Sequence, residues 1–388
     1  MKVTRAVATT ATATALLISL GAAAPAAAGV AHHPVKPGPL PPGKLIPPPP
    51  VKPGPHPPVK PGKPGSPSTL RELAAKAGVH IGTAVDMTSL AEDSTYREYI
   101  AREFSTVTAE NVMKWESTEP ERGVHNWEEA DRLVNFARAN GQLVRGHTLV
   151  WHNQNPAWLT EGNFSKKELR DILRKHIMDE VRHFKGRIWH WDVANEIFNE
   201  DGTWRDTIWY RALGPSYVAD ALRWAHQADP KAKLYLNDYN VEGINPKSDA
   251  YYKLIKDLRR QGVPIHGFGI QGHLGVQYPY PNEVVENLQR FADLGVEIAF
   301  TEVDVRMPMP PDATKLQAQA HSYSGLLQAC LLVKRCVSYT VWGFTDKYSW
   351  VPDWFEGEGA ANLLDENYQP KPAHNAIVQT LRLAGQRR

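Results

Sequence analysis

The run HWDVANEIF, residues 190–198, is apolar and strand-like, yet two polar side chains, Asn195 and Glu196, lie near its end. An unpaired carboxylate is costly to bury, so an acidic residue at this position needs a physical reason. A second carboxyl group facing Glu196 would supply one, because two carboxyl groups in different environments can divide acid and base chemistry between them. That partner must come from a distant part of the chain.

Glu302 and Asp304 lie two residues apart in the run IAFTEVDVR, so a strand there directs both side chains to the same face. Paired carboxyl groups suit cleavage of a glycosidic bond, where one protonates the departing oxygen and the other attacks the anomeric carbon. The negative charge of Glu302, with partial burial, is expected to keep Glu196 protonated near neutral pH. Glu196 is therefore predicted to be the acid and Glu302 the attacking group.

Eight short apolar or β-branched runs recur from residue 70 onward, and helical patterns lie between them. The runs cover residues 80–86, 104–109, 143–150, 188–194, 233–237, 267–271, 297–302 and 338–344. One helical pattern, residues 165–184, opens with a capping box of Ser165 and Glu168. Eight strand-helix repeats predict an α/β protein with a closed (β/α)8 TIM barrel. The alternative, an open doubly wound sheet, lacks the Gly-rich phosphate motif after its first strand.

Polar residues collect at the ends of seven of these eight predicted strands. In a (β/α)8 barrel the loops after the strands converge on one face, which is where active sites are built. Strand seven lies across the barrel mouth from strand four, so Glu302 is expected to face Glu196. The polar strand ends are Glu110 and Asn111, His147 with Trp151 and His152, Asn195 and Glu196, Asn237 to Asn240, Gln271 and His273, Glu302 and Asp304, and Trp342.

The first 28 residues have the pattern of a secretory signal peptide. Lys2 and Arg5 precede an apolar stretch through Leu20, and the small residues at 26–28 predict cleavage after Ala28. No later segment reaches about 18 uncharged apolar residues, so we expect a secreted, extracellular and soluble chain without a membrane partner.

Residues 29–68 hold 16 of the 31 prolines and five lysines but no acidic residue, which predicts a disordered, extended linker. At the polyproline rise it would reach about 120 Å. A solvated spacer is the favoured interpretation. Contact of this basic tail with an anionic cell wall or an acidic polysaccharide is the alternative.

The charge of the remaining chain argues against nucleic acid as a partner. The formal net charge of +2 becomes 0 without Lys2 and Arg5, and about −5 on residues 69–388 once the five linker lysines are also removed. A mildly acidic domain with no basic cluster lacks the electrostatic footprint of nucleic-acid binding.

Two cysteines, Cys330 and Cys336, stand six residues apart. In an exported chain oxidation is the default, so we predict one disulfide between them, closing a small local loop. With only two cysteines in the chain, a cysteine-based metal site is not expected.

Eight segments together resemble glycoside hydrolase family 10, the retaining endo-β-1,4-xylanases, in order over residues 70–380. The segments are FSTVTAENVMKWESTEPERGVHNW, GHTLVWHNQNPAWL, WDVANE, NDYNVEG, GIQGHL, TEVDVR, VWGFTDKYSW and NYQPKPAHNAI. The resemblance implies one catalytic domain, residues 69–388, that acts on xylan and xylo-oligosaccharides as a monomer without cofactor or metal. His125 stands where the family often has an aromatic residue, on a loop away from the matching catalytic positions.

The resemblance also assigns roles to residues. Glu196 corresponds to the general acid/base and Glu302 to the nucleophile, while Asn195 resembles the residue that holds the sugar 2-hydroxyl. His273 resembles the histidine that hydrogen-bonds the nucleophile and is oriented by Asp304. Other matching positions bind sugar: Glu110, Asn111, Lys114, His147, Trp151 and Gln271 on the non-reducing side, Trp342 and Trp350 as platform and roof, and Tyr239 with Asn240 on the leaving-group side.

Three other functions are compatible with parts of this pattern. A metal-dependent barrel hydrolase usually needs two histidines two residues apart on one strand, whereas His147 and His152 are five apart. A non-catalytic carbohydrate-binding barrel would have lost a carboxylate, and both are present here. A related retaining β-glycanase or exo-glycosidase could act on cellulosic or aryl glycosides, since these differ from xylosides by one hydroxymethyl group.

Overall fold

The computed structural model describes residues 68–386 of the chain. The predicted signal peptide, residues 1–28, and the predicted linker up to residue 67 lie outside this range. The strands are β1 His80–Val85, β2 Thr106–Ala109, β3 Leu143–Gly146, β4 His190–Asn195, β5 Lys233–Asp238, β6 Gly267–Ile270, β7 His273–Gly275, β8 Glu297–Pro308, β9 Cys336–Val341 and β10 Glu358–Gly359.

The helices of residues 68–386 are interspersed with the strands, beginning with α1 before β1, and a 3-10 turn covers Asp346–Tyr348. They are α1 Leu70–Lys76, α2 Met87–Glu92, α3 Ser94–Glu103, α4 Trp115–Thr118, α5 Glu128–Ala139, α6 Ala157–Thr160, α7 Lys166–His183, α8 Ile208–Leu213, α9 Ser216–Ala228, α10 Pro246–Arg260, α11 Val284–Asp293, α12 Ala313–Leu332, α13 Val351–Trp354 and α14 Pro372–Gly385.

Eight strands close into a parallel barrel. The hydrogen-bonded order runs β8, β6, β5, β4, β3, β2, β1 and β9, and a further pairing of β8 with β9 closes the ring. The predicted (β/α)8 TIM barrel is confirmed, with β4 as barrel strand four and β8 as barrel strand seven. All six residues of β4 are buried, as expected for a strand covered by side chains on one face and helices on the other.

Helix α7 illustrates how the local sequence sets the element boundaries. Ser165 accepts a hydrogen bond from the Glu168 backbone N–H while the Glu168 side chain accepts from the Ser165 N–H, so the predicted capping box is present. Ile172, Leu173 and Ile177 are buried on the face toward the barrel. None of the helices in residues 68–386 is long and apolar enough to cross a membrane.

Two features lie outside the barrel repeat. Strand β8 extends beyond the ring, where it pairs in parallel with the short β7 and antiparallel with β10. The predicted disulfide between Cys330 and Cys336 is present, with Cα atoms 5.2 Å apart, and joins the end of α12 to the start of β9. The disulfide therefore fixes the turn into the last barrel strand.

Candidate active site

Glu196 follows directly after β4 in a left-handed backbone conformation, with φ of 56°. This conformation is unfavourable for a residue with a Cβ and persists only where the surroundings fix it. Here the Glu196 N–H donates to the Asn237 carbonyl at 2.9 Å, and Arg205 Nε donates to the Glu196 carbonyl at 2.8 Å. The backbone is therefore held on both sides, which directs the carboxyl group toward the barrel mouth.

Glu302 lies on β8 and is only 5% exposed. The register of β8 against β9 shifts between Phe300 and Val303, an irregularity of the kind that re-aims a side chain next to a functional site. Asn237 Nδ2 donates to Glu302 Oε1 at 2.7 Å, and His273 Nε2 donates to Glu302 Oε2 at 3.3 Å. Both carboxylate oxygens thus have a donor.

His273 is held by Asp304, its direct neighbour across the β7–β8 ladder. The His273 Nδ1 group donates to Asp304 Oδ1 at 2.9 Å, and the second Asp304 oxygen accepts from the Trp350 indole N–H at 2.8 Å. Burial disfavours charge on His273, but Asp304 and Glu302 outweigh it and raise the pKa of His273 to about 10. The imidazole is therefore cationic over the physiological pH range.

The charge of Glu302 follows from the same contacts. Burial disfavours its ionisation, but the interaction with His147 and the hydrogen bonds from His273 and Asn237 lower the pKa of Glu302 to about 2. The carboxylate is thus buried, ionised and aimed by fixed donors, which is the state required of an attacking group.

Three side-chain amides connect the two glutamates. Gln271 Nε2 donates to Glu196 Oε1 at 3.2 Å, while Asn237 contacts Glu302 as described above. The Asn195 amide lies 3.0 Å from Asn237 and 3.3 Å from Gln271. The predicted pair from strands four and seven is therefore brought to one site, with hydrogen-bonding groups between them for a polar substrate.

Lys114 lies at one side of the cleft with its ammonium group almost fully buried. It donates to Asn111 Oδ1 at 3.1 Å and to Gln154 Oε1 at 2.6 Å, and it lies 5.0 Å from the centre of the Trp151 ring. Burial lowers the pKa of Lys114, against the raising effect of the surrounding glutamates. Burial and then the charge of Asp86 raise the pKa of Glu110 to about 7, against the effect of Lys114.

His147 and His273 each lie beside one of the two indoles predicted as platform and roof. The His147 ring meets Trp342 edge-on at 5.3 Å, and His147 Nδ1 lies 3.0 Å from Asp192 Oδ2. The Trp350 ring lies 5.2 Å from that of His273. Flat indole faces beside amide, imidazole and ammonium groups match the apolar faces and polar edges of a sugar ring.

Tyr239 follows directly after β5, and the Lys247 ammonium group lies over its ring. Its hydroxyl accepts from Arg205 Nη2 at 3.0 Å, and Lys247 Nζ lies 3.6 Å from its ring centre. Lys247 also pairs with Asp238 at 2.8 Å and Glu200 at 3.0 Å. Tyr239 is thus fixed at the end of the strand next to the one that carries Glu196.

Several site residues were not predicted from the sequence. Asn237 was noted only as part of a polar strand end, although it bridges Glu302 and Asn195. Asp192 binds both His147 and Arg145. Nothing in the sequence distinguishes it from the other residues inside the predicted fourth strand. His152 Nδ1 lies 3.9 Å from Glu196 Oε2, and burial, then Arg205 and Lys247, lower the pKa of His152 to about 4.

Residues 69–380 match the family model described as glycosyl hydrolase family 10. The chain is 46% identical over 312 residues to an endo-1,4-beta-xylanase of Agaricus bisporus, which covers 80% of this chain and 93% of that protein. It is 47% identical over 318 residues to endo-1,4-beta-xylanase B of Thermotoga neapolitana, covering 80% and 91%. The crystal structure of xylanase 10B from Thermotoga petrophila RKU-1 in complex with xylobiose superimposes with a TM-score of 0.80 at 44% identity, over 82% of this chain and 99% of that one. With a match of this length, the chain belongs to glycosyl hydrolase family 10.

Proposed function

We propose that this glycoside hydrolase is a secreted endo-1,4-β-xylanase that cleaves internal β-1,4-xylosidic bonds of xylan with retention of configuration. The observation that carries the proposal is the buried, ionised Glu302, held by His273 and Asn237 and linked through side-chain amides to Glu196. The two relatives above are named endo-1,4-beta-xylanases, and the solved relative holds xylobiose, which supports xylan as the substrate.

In the first step Glu302 attacks the anomeric carbon while Glu196 gives its proton to the departing glycosidic oxygen. The bond from the anomeric carbon to that oxygen breaks, and a sugar ester forms on Glu302. In the second step Glu196, now a carboxylate, takes a proton from water, whose oxygen attacks the same carbon and releases Glu302. Two inversions at one carbon give retention.

The surrounding residues act on the sugar in this proposal. Asn195 holds the 2-hydroxyl, a contact that strengthens as positive charge develops on the ring. The remaining predicted residues bind the sugars on the non-reducing side through hydrogen bonds and ring stacking; they are Glu110, Asn111, Lys114, His147, Trp151, Gln271, Trp342 and Trp350. Tyr239 faces the leaving-group side.

We further propose that residues 1–28 direct export, that residues 29–68 form a spacer, and that residues 69–388 act as a monomer outside the cell. The proline-rich composition of the segment and the small-residue site at 26–28 support this division.

A mechanism-based 2-deoxy-2-fluoro xylobioside tests the assignment. Fluorine at C2 slows both steps, and a good aryl leaving group on the reagent restores the first, so the ester should accumulate and peptide mass spectrometry should locate it on Glu302. Glu302→Ala should abolish turnover without unfolding. Glu196→Ala should retain ester formation from substrates with good leaving groups, because these need no proton.

A label on another residue, or hydrolysis of natural xylan by either variant, would refute the roles of Glu302 and Glu196. Loss of activity with a chelator would favour a metal-dependent mechanism.

A further inference from the structure

The turn of residues 271–273, between β6 and β7, contacts both glutamates of the site. Gln271 Nε2 donates to Glu196 Oε1 at 3.2 Å, and the Gln271 carbonyl accepts from the Glu302 backbone N–H at 2.9 Å. His273 Nε2 donates to Glu302 Oε2 at 3.3 Å. A displacement of this turn would therefore move a hydrogen-bond partner of each glutamate at once.

The middle residue of the turn, Gly272, is held by a side chain from another loop. Gly272 is buried and has a φ of 81°, a conformation that glycine adopts without strain. A Cβ at this position would come within 2.9 Å of Val303 Cγ2, so the turn packs directly against β8. The Gly272 N–H donates to Glu242 Oε1 at 3.0 Å. Glu242 thus fixes the backbone of the turn at its centre.

Glu242 is itself buried and firmly anchored. It lies in the loop after β5 and is 3% exposed. Asn287 of α11 donates through Nδ2 to the Val241 carbonyl at 2.8 Å and to the Glu242 carbonyl at 3.0 Å. Asn287 Oδ1 in turn accepts from the Ser248 hydroxyl of α10 at 2.7 Å. The loop that presents the Glu242 acceptor is therefore tied to two helices, which is the kind of support that keeps a site in one geometry.

The contact between Glu242 and Gly272 does not require a charge. Burial raises the pKa of Glu242, against the hydrogen bonds from the Glu242 and Gly272 backbone N–H groups and the charges of His273 and Lys247. A protonated carboxyl group still has acceptor capacity, so the Gly272 N–H keeps its partner in either protonation state. The position of the acceptor oxygen, and not the charge of Glu242, is what the turn depends on.

We propose that Glu242 is a positioning residue for the reaction: by accepting the Gly272 N–H it fixes the turn of residues 271–273 and so aligns Glu196 and Glu302. The inference rests on the proposed function, because it takes these two glutamates as acid/base and nucleophile. Without the acceptor, the Gly272 N–H would be buried without a partner, which is costly, and the turn would shift to relieve it.

Three variants separate the acceptor from the charge. Glu242→Gln keeps an oxygen at the same reach and removes the charge, Glu242→Asp keeps the charge but is one methylene shorter, and Glu242→Leu removes both. With a dinitrophenyl β-xylobioside at neutral pH, kcat should fall about 10-fold for Asp and Leu, with KM nearly unchanged, and stay within about twofold of the parent for Gln. KM should change little because both steps use an aligned glutamate and slow together.

The rates are referred to the number of competent sites. Dinitrophenolate released in a single reaction with the 2-deoxy-2-fluoro xylobioside counts these sites. A role in folding alone would lower that number and leave kcat per site unchanged.

Asp229→Leu is the matched control. Asp229 is 1% exposed and accepts at 2.8 Å from the N–H of another left-handed glycine, Gly186, with φ of 72°. Both residues precede barrel strands, at the end of the barrel opposite the glutamates. This variant should lose stability but keep the parent kcat per site.

The outcomes distinguish the two proposals. If Glu242→Asp has the parent kcat per site, the contact is not needed and this inference is wrong. A loss in Glu242→Gln as large as that in Glu242→Leu would assign the effect to charge, and an equal loss in Asp229→Leu would assign it to general packing; either result overturns the inference. If Glu242→Leu yields no competent sites, the comparison of Asp with Gln decides. If the parent neither hydrolyses the xylobioside nor forms the ester, the proposed function itself fails.

Discussion

At the scale of single residues, a chain of hydrogen bonds links Trp350, a proposed sugar-binding residue, to the proposed nucleophile. Its indole N–H occupies one oxygen of Asp304 while His273 occupies the other, and His273 in turn donates to Glu302. Because Asp304 is fixed by two donors, the imidazole is presented to Glu302 in one orientation. Trp350, the proposed roof residue, is thus also positioned to align the proposed nucleophile through two intervening side chains.

Trp350→Phe removes this hydrogen bond and keeps an aromatic ring at the proposed sugar-binding position. We expect kcat to fall about 10-fold with a smaller change in KM, because a hydrogen bond to a charged group contributes about 1.5 kcal/mol or more. Steady-state kinetics on xylohexaose measure both parameters. Trp342→Phe is the matched control, since it also removes an indole N–H but leaves Asp304 with both donors. Equal losses of kcat in the two variants would refute the positioning role of Trp350.

At the scale of elements, the segment that carries Trp350 is fixed to a helix far away in sequence. Asp93 Oδ1 accepts from the Thr95 and Tyr96 backbone N–H groups and caps α3. Its other oxygen accepts from Lys347 at 2.8 Å, Tyr348 at 2.9 Å and Tyr368 at 2.6 Å. One carboxylate therefore joins the start of α3 to the segment after β9.

Asp93→Asn should weaken this junction. An amide has only one acceptor oxygen, and its NH2 group would face the ammonium group and the two hydroxyl groups that now donate to the carboxylate. We expect the free energy of unfolding at neutral pH to fall by about 1 to 2 kcal/mol, since Asp93 is partly exposed and solvent screens the contact. Urea unfolding measures this change. Asp206→Asn, at an exposed position paired only with Arg211, is the control and should change stability little.

The contribution of Asp93 to the free energy of unfolding should depend on pH. Hydrogen bonds from Lys347 and then Tyr368 lower the pKa of Asp93 below its ordinary value. A lowered pKa contributes stability that is complete above the unfolded-state pKa, about 4, and is lost as pH falls below it. The stability difference between parent and Asp93→Asn should therefore be constant from neutral to mildly acidic pH and shrink below about pH 4. A difference that grows on acidification would contradict this contribution.

The strands show which parts of the fold can be predicted from the sequence. All eight predicted barrel strands correspond to observed ones, because each combines an apolar run with a helical pattern after it. Strand β8, predicted to end at residue 302, continues to Pro308, since its extension pairs with β7 and β10, partners that no local pattern reveals. The bridging role of Asn237 was missed for a similar reason: it depends on the register that pairs Asn195 with Asn237 across β4 and β5.

At the scale of the whole molecule, the chain is divided by charge. Residues 29–68 carry five lysines and no acidic residue, while residues 69–388 carry a formal charge of about −5. Each of these lysines lies next to proline or glycine, so the charges are distributed along a segment expected to be extended. Spaced charges of this kind keep a linker solvated, and they attract a polyanion only weakly when salt screens them.

Deletion of residues 29–68 from the exported chain tests whether this segment is only a spacer. We expect unchanged kcat/KM on xylohexaose and an unchanged bound fraction on anionic cell-wall polysaccharide at low and high salt, because the spacer interpretation gives the lysines no partner. Pull-down with the insoluble polysaccharide measures the bound fraction. A variant with all five linker lysines changed to glutamine is the matched control, since it keeps the length and removes the charge. If the parent binds at low salt and both variants do not, Coulomb attraction of the lysines holds the enzyme on the wall, and the spacer interpretation is wrong.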